Sequence, residues 1–330
     1  IGELFGGQGD SFPTISDPCS DMLGLSDPAS AQPQDVVNNC ISQGVPADGS
    51  YVQPNPQIRI TVGSNPNLQP ETSESVTFGF VYSPSWLDGL DLTVDYYNIE
   101  LDDAIGFVGP QTTLNACAQS LQLCNLIERG VIGQVTDLLA AGVNVNSFEV
   151  EGVDFLASYS FPETDFGFFR VVWDGAYQGK NEQTAPDFGN PDGGTVFTNF
   201  LGFNAGDTAF TRWKSNLDVN WSYGDWEATY GIQYIHGLDE TCAIPAAFGF
   251  CNLDRDGDGS NEARRIGGTS YHDMQLSYHL SDYDTRLTFG VNNIWDKGPP
   301  LSTTAFANSY NAADYRTPGR FPYVRVTVDF

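Results

Sequence analysis

The segment Leu217–Tyr234, LDVNWSYGDWEATYGIQY, decides the fold, because apolar and polar residues alternate in it on both sides of Gly224–Asp225. A period of two places the apolar side chains on one face of a strand and the polar side chains on the other. Gly-Asp is typical of a tight turn. The segment therefore predicts a β-hairpin of two strands, each with one apolar and one polar face.

The same alternation recurs along the chain and predicts nine complete strands. They are Val76–Tyr82, Leu90–Val94, Val153–Tyr159, Phe169–Trp173, Leu217–Tyr223, Ala228–Tyr234, Met274–Leu280, Leu287–Val291 and Val324–Phe330. A short tenth segment, Ile1–Phe5, is interpreted as the stub of a further strand. The segment that starts at Ile1 has no Met, no basic region and no apolar signal core. We therefore interpret the chain as a piece of a longer one, and a processed, mature N-terminus is the alternative.

The connections between these strands alternate between short and long. Short turns are expected near residues 83–89, 163–165, 222–225 and 281–284. Long segments are expected over roughly 6–68, 106–145, 179–210, 239–267 and 297–318. Antiparallel strands linked in this way have all long loops at one end and all tight turns at the other.

Composition limits the class of protein. The 330 residues include 14 Lys+Arg and 42 Asp+Glu, a net charge of −28, with 13% aromatic residues, 35 Gly and 19 Pro. The aromatic content supports an ordered fold, and the acidity excludes a nucleic-acid binder, which needs a basic surface. No apolar run approaches the roughly 20 residues of a membrane-spanning helix.

Short turns, long loops and two-faced strands together favour a transmembrane antiparallel β-barrel, an all-β fold. Aromatic residues near strand ends would then form the interfacial girdles of such a barrel. Those residues are Trp86, Tyr97, Trp226, Tyr283 and Trp295. The strands of a soluble β-sandwich also alternate between apolar and polar residues, so this fold is the alternative. However, nothing in a β-sandwich requires the long loops to lie at one end.

The six cysteines fall into three local pairs, Cys19/Cys40, Cys117/Cys124 and Cys242/Cys251, each inside a long segment. Local pairing predicts disulfides formed in an oxidising compartment. Cys117 and Cys124 lie in the helical-looking stretch Leu114–Glu128. Seven residues of a straight helix span about 10 Å, which is too far for a disulfide. Either the helix breaks near residues 119–123 or those thiols are free.

The sharpest local motif is DRDGDGSNE at residues 254–262. Carboxylates at alternate positions with a glycine at the sixth match the first half of a calcium loop. The predicted Ca²⁺ ligands are Asp254, Asp256, Asp258, Ser260 and Glu262. The twelfth position is Arg265, which excludes an EF-hand, and a hydrated acidic loop is the alternative.

Catalytic signatures are missing from the sequence, which contains no HExxH, GxSxG or phosphate-binding P-loop motif. The three histidines are well separated; by strand parity His279 points to the polar face and His272 to the apolar face or the rim. We therefore predict that the chain is not an enzyme, with a secreted hydrolase as the least favoured alternative. A second alternative is a soluble secreted β-protein with disulfides and bound calcium, such as a lectin-like or matrix module.

Several motifs, taken in order, resemble the C-terminal part of TonB-dependent outer-membrane receptors. They are Asn65–Phe80 (NPNLQPETSESVTFGF), Leu90–Ile105 (LDLTVDYYNIELDDAI), Glu128–Val135 (ERGVIGQV) with Asn144–Phe155 (NVNSFEVEGVDF), Phe289–Pro300 (FGVNNIWDKGPP) and Tyr315–Phe330 (YRTPGRFPYVRVTVDF). The opening IGELFGG is similar to the segment that follows a strand end of that family. Each motif alone is weak, but their order is specific.

The resemblance implies that residues 1–330 are the C-terminal part of a single barrel of about 22 strands, of which this chain supplies roughly ten. The plug and the N-terminal half of the barrel would then lie outside it. Phe330 resembles the terminal aromatic residue that the barrel-assembly machinery recognises, and the C-terminus would be periplasmic. Asn292, Asn293 and Asp296 look like structural polar groups near the external rim.

The function implied is active uptake, across the bacterial outer membrane, of a scarce nutrient such as a siderophore, glycan, peptide or other small ligand. Expected partners are the inner-membrane TonB-type energy-coupling complex, the lipid bilayer and lipopolysaccharide, the transported ligand and the assembly machinery. The long loops would be extracellular. The charge of −28 favours neutral or cationic ligands, or cation bridging to lipopolysaccharide, and disfavours a bare polyanion.

Overall fold

The computed structural model describes residues 2–188, 190, 194–205, 208–241, 251–254, 261, 263–305 and 309–328. The chain divides into two compact units. The first comprises Ile1–Glu74, Glu100–Phe148 and Gln183–Thr198. The second comprises Ser75–Ile99, Glu149–Glu182 and Asn199–Phe330.

Strands dominate both units. The helices are α1 (Gly2–Phe5), α2 (Gln34–Ser42) and α3 (Pro110–Ser120). The strands are β1 (Gly9–Ser11), β2 (Ile60–Gly63), β3 (Thr72–Tyr82), β4 (Leu90–Phe107), β5 (Ile127–Arg129), β6 (Val135–Ser160), β7 (Phe168–Pro186), β8 (Thr195–Asn199), β9 (Phe203–Ala205), β10 (Thr208–Ala209), β11 (Trp213–Tyr223), β12 (Trp226–Ile235), β13 (Leu238–Thr241), β14 (Ala263–Ile266), β15 (Thr269–Leu280), β16 (Thr285–Asn292) and β17 (Phe321–Val328). Among the described residues, no helix is long and apolar enough to cross a membrane.

The second unit contains a sheet in which neighbouring strands follow the order of the chain. Its strands are parts of β3, β4, β6 and β7, which continue into the first unit, and the whole of β11, β12, β15, β16 and β17. From β7 to β17 each adjacent pair is antiparallel. All nine predicted strands are confirmed, and the connections at residues 83–89, 161–167, 224–225 and 281–284 are short, as predicted. We call the end of the sheet that carries these short turns the short-turn end, and we call the other end the long-loop end.

The strand registers place the apolar residues on one face, which we call the apolar face. Val219 pairs with Val171 on one side and Tyr230 on the other. Likewise Leu276 pairs with Ala228 and Phe289. Large apolar side chains on this face remain exposed, for example Phe78 at 73% and Val324 at 65%. A soluble protein rarely exposes so much contiguous apolar surface without a partner for it.

Four of the five aromatic residues predicted near strand ends are exposed there: Trp86, Trp226, Tyr283 and Trp295. The prediction that Tyr97 lies near a strand end is wrong. Tyr97 lies in the middle of β4, because that strand continues ten residues beyond it to Phe107. Its hydroxyl occupies the space beside Gly152, where a Cβ would lie only 2.4 Å away. Tyr97 therefore packs against the neighbouring strand and is no part of a girdle.

Two further expectations differ from the structure. The long segment expected over 106–145 ends earlier, since β6 starts at Val135, and the one expected over 179–210 begins later, since β7 runs to Pro186. Backbone pairing continues there although the apolar alternation has stopped. The stub expected at Ile1–Phe5 is helical over Gly2–Phe5, because the Gly6 N–H donates to the Gly2 carbonyl at 2.8 Å and closes a helical turn instead of joining a strand.

The first unit has a conventional apolar core. Short strand β1 is antiparallel to β2, and β2 is parallel to β6. One buried cluster surrounds the disulfide between Cys19 and Cys40, and it contains Met22, Val36, Val37, Val45, Tyr51 and Ala118. A second contains Ile15, Ile58, Ile60, Leu114, Leu138 and Ala140. Burial of these side chains stabilises a region with little regular structure.

The break predicted between Cys117 and Cys124 is confirmed. Helix α3 ends at Ser120, and Leu121 and Leu123 both adopt left-handed backbone conformations. This brings the two Cα atoms to 4.8 Å, and the disulfide forms. The helix ends before Cys124 because two cysteines seven residues apart in a straight helix are too far apart for a disulfide.

A buried ion pair joins the long segments of the first unit. Arg129, which is 6% exposed, donates to both carboxylate oxygens of the fully buried Asp17, at 2.7 and 3.0 Å. The Tyr51 hydroxyl donates to Asp17 Oδ2 at 2.9 Å. Burial, followed by the adjacent Asp17 charge, raises the pKa of Tyr51 well above its usual value. Tyr51 therefore remains a hydrogen-bond donor at physiological pH.

The two disulfides should stabilise the first unit to different degrees. The paired Cys19→Ser and Cys40→Ser changes should destabilise the first unit by about 3 kcal/mol, and the paired Cys117→Ser and Cys124→Ser changes by about 2 kcal/mol, because the bonds close loops of different length. The sequence separations are 21 and 7 residues. Hydrogen-exchange protection of amides in α2 and α3 measures both losses. Equal losses, or none, would contradict this ranking.

Candidate functional site

The polar face is the opposite side of the second unit's sheet. Asn216 pairs with Asp174 and with Gln233 in one row. In the next row Asp218 pairs with Gly231, which pairs in turn with Asp273. A third row brings Asn220, Thr229 and Gln275 together, with a 2.9 Å hydrogen bond from Thr229 to Asn220. The polar face is thus a ladder of amides, hydroxyls and carboxylates.

Asp174 and Asp218, two carboxylates of this face, differ in their hydrogen bonding. Asp174 accepts a hydrogen bond from Asn216 Nδ2 at 3.0 Å. By contrast, no described side chain or backbone N–H donates to Asp218, which is half-buried. Gly231 is required beside it, since a Cβ at that position would lie 2.8 Å from Asp218 Oδ1. The absent side chain lets the Asp218 carboxylate lie close to the neighbouring strand.

A cavity of about 450 Å³ lies at the row of Asn216 and is lined in part by Asp154, Asp174, Asn216 and Gln233. Lys214 also lines it and forms an ion pair with Asp314. The lining therefore combines hydrogen-bond acceptors with a cation that is already paired. Such a lining suits a neutral or cationic ligand better than an anion.

The segment between β16 and β17 folds back over the polar face at the long-loop end. Arg316 donates to Asp273 Oδ2 at 2.6 Å and to Gln233 Oε1 at 2.9 Å, and its guanidinium lies 5.4 Å from the centre of the Tyr271 ring. Asn293 N–H donates to Asp273 Oδ1 at 2.8 Å. Asp273 thereby fixes two parts of the loop to a strand.

A buried carboxylate, Glu240, joins three long loops at the same end. It lies on β13, in a small sheet of β10, β9, β13 and β14 that is separate from the long strands. Glu240 is fully buried and accepts hydrogen bonds from five side chains and one backbone N–H. The donors are Arg264 at 2.9 Å, Ser302 Oγ at 2.7 Å, Thr303 N at 3.0 Å, Thr303 Oγ1 at 3.1 Å, Thr304 Oγ1 at 3.2 Å and Asn204 Nδ2 at 3.3 Å. We call this cluster the Glu240 anchor.

The Glu240 anchor keeps its carboxylate ionised. Burial alone would raise the pKa of Glu240, but the hydrogen bonds from Ser302, Thr303 and Asn204 outweigh it and hold the pKa below its usual range. The folded anchor therefore prefers the charged form. Neighbouring Asp239 forms an outer pair with Arg265 at 2.8 Å, where the Arg265 side chain is 52% exposed.

The residues predicted from sequence have mixed outcomes. The disulfides Cys19–Cys40 and Cys117–Cys124 are confirmed. Cys251 is disulfide-bonded, whereas Cys242 lies outside the described residues, so their pairing stays a prediction. His272 lies in line with the apolar-face residue Ile232, and its ring contacts Tyr230. Asn293 is structural, as expected, since it is 2% exposed and binds the backbone of Lys297 at both its side-chain atoms.

The calcium prediction lies almost entirely outside the described residues. Asp254 is described, but Asp256, Asp258, Ser260, Glu262 and the terminal Phe330 are not. The base of the segment is closed by an antiparallel bridge between Leu253 and Ala263. Within the described part of the chain, no group of three or more His, Cys, Asp or Glu side chains could hold a metal. Ca²⁺ binding therefore stays a prediction.

Sequence reasoning did not find Glu240, Asp17, Asp218 or Asp273. With 42 acidic residues against 14 basic ones, the sequence offers many partners for each arginine. The available signal was indirect. Arg129 and Arg316 both lie inside segments that carry the family resemblance, and each pairs with one of the missed carboxylates.

Comparisons with known proteins agree with this arrangement. The family described as "TonB dependent receptor-like, beta-barrel" matches residues 28–294. A solved structure of a ferric enterobactin receptor mutant, PfeA, from Pseudomonas aeruginosa in complex with enterobactin has 17% identity and a TM-score of 0.50, over 87% of this chain and 34% of that one. The siderophore receptor PirA from Acinetobacter baumannii has 16% identity and a TM-score of 0.49, over 82% and 33%. A search among curated proteins gave no match.

The chain belongs to the family of TonB-dependent receptor β-barrels, since the match covers most of its length. Proteins of this family are outer-membrane barrels, and they are transporters and not enzymes. The chain spans about a third of the length of the solved structures it matches. At 17% identity the PfeA structure supports the fold alone.

Replacing Glu240 tests the anchor. Glu240→Gln should destabilise the long loops by about 3 kcal/mol, because the buried ion pair with Arg264 is broken and the donors of the anchor lose a charged acceptor. The control Asp239→Asn, which breaks the exposed pair with Arg265, should cost less than about 1 kcal/mol. Hydrogen exchange of the loop amides in the folded protein measures both. Similar losses in the two variants would contradict a special role for Glu240.

The anchor should also respond to pH. The pKa of Glu240 is lower in the folded state than its ordinary value of 4.5, so its stabilisation is fully present above that value and is lost as the pH falls through the folded pKa. Loop protection should therefore persist from pH 7 to about pH 5 and decline below about pH 4. Glu240→Gln should remove this dependence, and a wild-type protein whose protection is unchanged by acid would contradict it.

Proposed function

We propose that this chain is part of an outer-membrane active transporter that takes up a scarce small ligand through the barrel. One observation carries the proposal: a sheet with an exposed apolar face and a hydrogen-bonded polar face has its long, anchored loops at one end. In a bilayer the apolar face suits lipid and the polar face suits an aqueous interior. The family membership supports the same conclusion.

The long-loop end is proposed to be extracellular and the C-terminus periplasmic. In bacterial barrels the periplasmic turns are short and the external loops are long. The buried pairs Asp17–Arg129 and Glu240–Arg264, together with the disulfides, suit loops that must keep their shape outside the cell.

The proposed barrel includes strands that this chain does not supply. Every residue of β3 is exposed, and so are seven of the eight in β17, the two strands at the ends of the nine-strand order. Open sheet edges do not occur in hydrocarbon, so further strands should complete the pairing. The expected 22-stranded barrel, its plug, the TonB-type energy-coupling complex and the barrel-assembly machinery belong to this proposal.

For the ligand we propose a neutral or cationic molecule. The carboxylate of Asp218 and the cavity lined in part by Asp154, Asp174 and Asn216 support this choice. The net charge of −28 would repel a bare polyanion. PfeA binds enterobactin, an iron chelator, so ferric chelates are suitable probes of uptake. Ca²⁺ in the 254–262 loop remains a separate proposal.

The test is uptake by the full-length receptor in cells with and without a functional TonB complex. A ferric trihydroxamate with a free ammonium group is the cationic probe, and ferric enterobactin is the anionic one. We expect energy-dependent uptake that favours the cationic probe, reduced about fivefold in Asp218→Asn, as loss of one partly solvated charge contact predicts.

The matched control is Asp282→Asn, an exposed carboxylate in the tight turn 281–284 of the short-turn end. Its uptake should equal that of the wild type. Uptake of neither probe, or uptake that persists without TonB, would contradict active transport. A preference for ferric enterobactin, or equal uptake by Asp218→Asn and wild type, would contradict the proposed ligand charge alone.

A further inference from the structure

The connection between β16 and β17 reaches the polar face through one turn of chain, residues 311–316, which we call the strap. The Tyr315 N–H donates to the carbonyl oxygen of Asn311 at 3.2 Å and closes the turn. Three consecutive side chains of the strap, those of Asp314, Tyr315 and Arg316, contact the sheet. They are an acid, an aromatic residue and a base, and each meets a partner of matching chemistry.

The carboxylate of the strap meets a cation of the sheet. Asp314, whose side chain is 6% exposed, forms an ion pair with Lys214. Lys214 lies on the polar face, in the row that continues through Ile235 to Thr269. It also lines the cavity at the row of Asn216. The strap therefore contacts the lining of that cavity.

The aromatic side chain of the strap occupies an apolar position. Tyr315 is 4% exposed and packs with Ile235 and with the fully buried Tyr271. Burial, followed by the charge of Asp314, raises the pKa of Tyr315 to about 12, so its hydroxyl stays protonated. That hydroxyl has no hydrogen-bond partner among the described residues. The position thus accommodates the ring and makes no use of the hydroxyl.

The cation of the strap lies among three different groups. The Arg316 guanidinium donates to Asp273 Oδ2 at 2.6 Å and to Gln233 Oε1 at 2.9 Å. It also lies 5.4 Å from the centre of the Tyr271 ring. A carboxylate, an amide oxygen and an aromatic face together suit an organic cation. Gln233 lines the same cavity as Lys214, so both charged ends of the strap reach it.

The loop that contains the strap is attached to the sheets in two different ways. Residues 302–304 are held in the Glu240 anchor, whose carboxylate is fully buried. The strap is held by two ion pairs whose basic side chains are partly exposed, Lys214 at 49% and Arg316 at 36%. Ion pairs in contact with water are weaker than buried ones and exchange partners more easily. The strap is therefore the part of the loop that can leave the sheet while the anchor stays closed.

We propose that the strap is a built-in pseudo-ligand and that the site beneath it binds a zwitterionic peptide. The peptide would place a carboxylate on Lys214 and an aromatic ring against Ile235 and Tyr271. A guanidinium or ammonium group of the peptide would replace Arg316 on Asp273. Such a peptide is neutral overall. The inference rests on the proposed function, and within its neutral and cationic ligands it names one class.

The experiment measures, by calorimetry, binding of the peptide acetyl-Asp-Tyr-Arg-amide to the full-length purified receptor. Asp314→Asn combined with Arg316→Gln removes both ion pairs of the strap, and we call this the released receptor. It should bind the peptide about tenfold more tightly than the wild type, because the tethered strap no longer competes. The uncharged peptide acetyl-Asn-Tyr-Gln-amide should bind to neither receptor.

Two changes in the released receptor test the assigned contacts. Asp273→Asn should weaken peptide binding about tenfold, as loss of charge-assisted hydrogen bonds predicts. The matched control is Arg325→Gln, which removes an exposed polar-face charge in the row of Thr288 and Ser277, toward the short-turn end, and should leave binding unchanged. A peptide with Phe in place of Tyr should bind about fivefold more tightly, because it buries no unpartnered hydroxyl.

A second measurement follows the strap in a receptor whose ion pairs are intact. A spin label at the exposed Ala313 should become more mobile when the peptide saturates the receptor. This readout requires displacement of the strap, which peptide binding elsewhere would not cause. Heat-modifiable gel mobility confirms that each variant is a folded barrel.

The inference is overturned if the folded released receptor binds the peptide no better than the wild type, or if the uncharged peptide binds equally well. Unchanged mobility of the label at saturating peptide would also overturn it. A receptor that fails these tests but takes up a ligand only with a functional TonB complex contradicts this inference alone. A receptor that passes them, but whose uptake persists without TonB, contradicts the proposed function alone.

Discussion

The whole structure depends on satisfying backbone hydrogen bonds in a sheet whose two faces differ in polarity. A strand that borders hydrocarbon can leave no N–H or C=O unpaired, because each unpaired group there costs several kcal/mol. The registers from β7 to β17 meet this requirement with uninterrupted antiparallel pairs. A single slip of one residue would turn Val219 and Trp221 inward and Asp218 and Asn220 outward, so the alternation also fixes the register.

Outside the sheet, different interactions determine the structure. Among the described residues of the second unit, one buried cluster at the long loops comprises Ile235, Tyr271 and Tyr315. The arrangement of the long loops there depends on Glu240 and Asp273, each of which accepts hydrogen bonds from distant parts of the chain. The first unit adds disulfides and apolar clusters around Asp17. Buried carboxylates thus hold the long loops in place, and the stability of these loops depends on the arginines that pair with them.

The sequence predicted the sheet well because period-two alternation is a local signal. The segment Leu217–Tyr234 alone contains the faces and the turn, and the structure confirms both. The sequence could not predict that β6 continues from Val135 to Ser160. Outside the region of apolar–polar alternation, the neighbouring strand sets the backbone pairing, and side-chain polarity does not. The helical Gly2–Phe5 was likewise mistaken for a strand, since four residues are too few to show a period.

The candidate site was harder to predict for a physical reason. Pairs such as Asp17–Arg129 and Glu240–Arg264 join residues 112 and 24 positions apart, and no local pattern distinguishes them from the other carboxylates. The disulfide between Cys117 and Cys124 was predictable as an alternative only, because helix geometry forbids it unless the backbone breaks, as it does at Leu121 and Leu123. Local chemistry was readable from the sequence, whereas long-range pairing was not.

The central claim is that the two faces meet lipid and water respectively, and a spin-label scan of β3 tests it most directly. Single labels at residues 75–81 of the full-length protein in lipid bilayers would report collision with oxygen, which concentrates in lipid, and with a polar nickel chelate. The account predicts an oscillation of period two, with labels at Val76, Phe78 and Phe80 more accessible to oxygen and labels at Ser75 and Thr77 more accessible to nickel. Uniform accessibility along the strand, or the opposite phase, would contradict it.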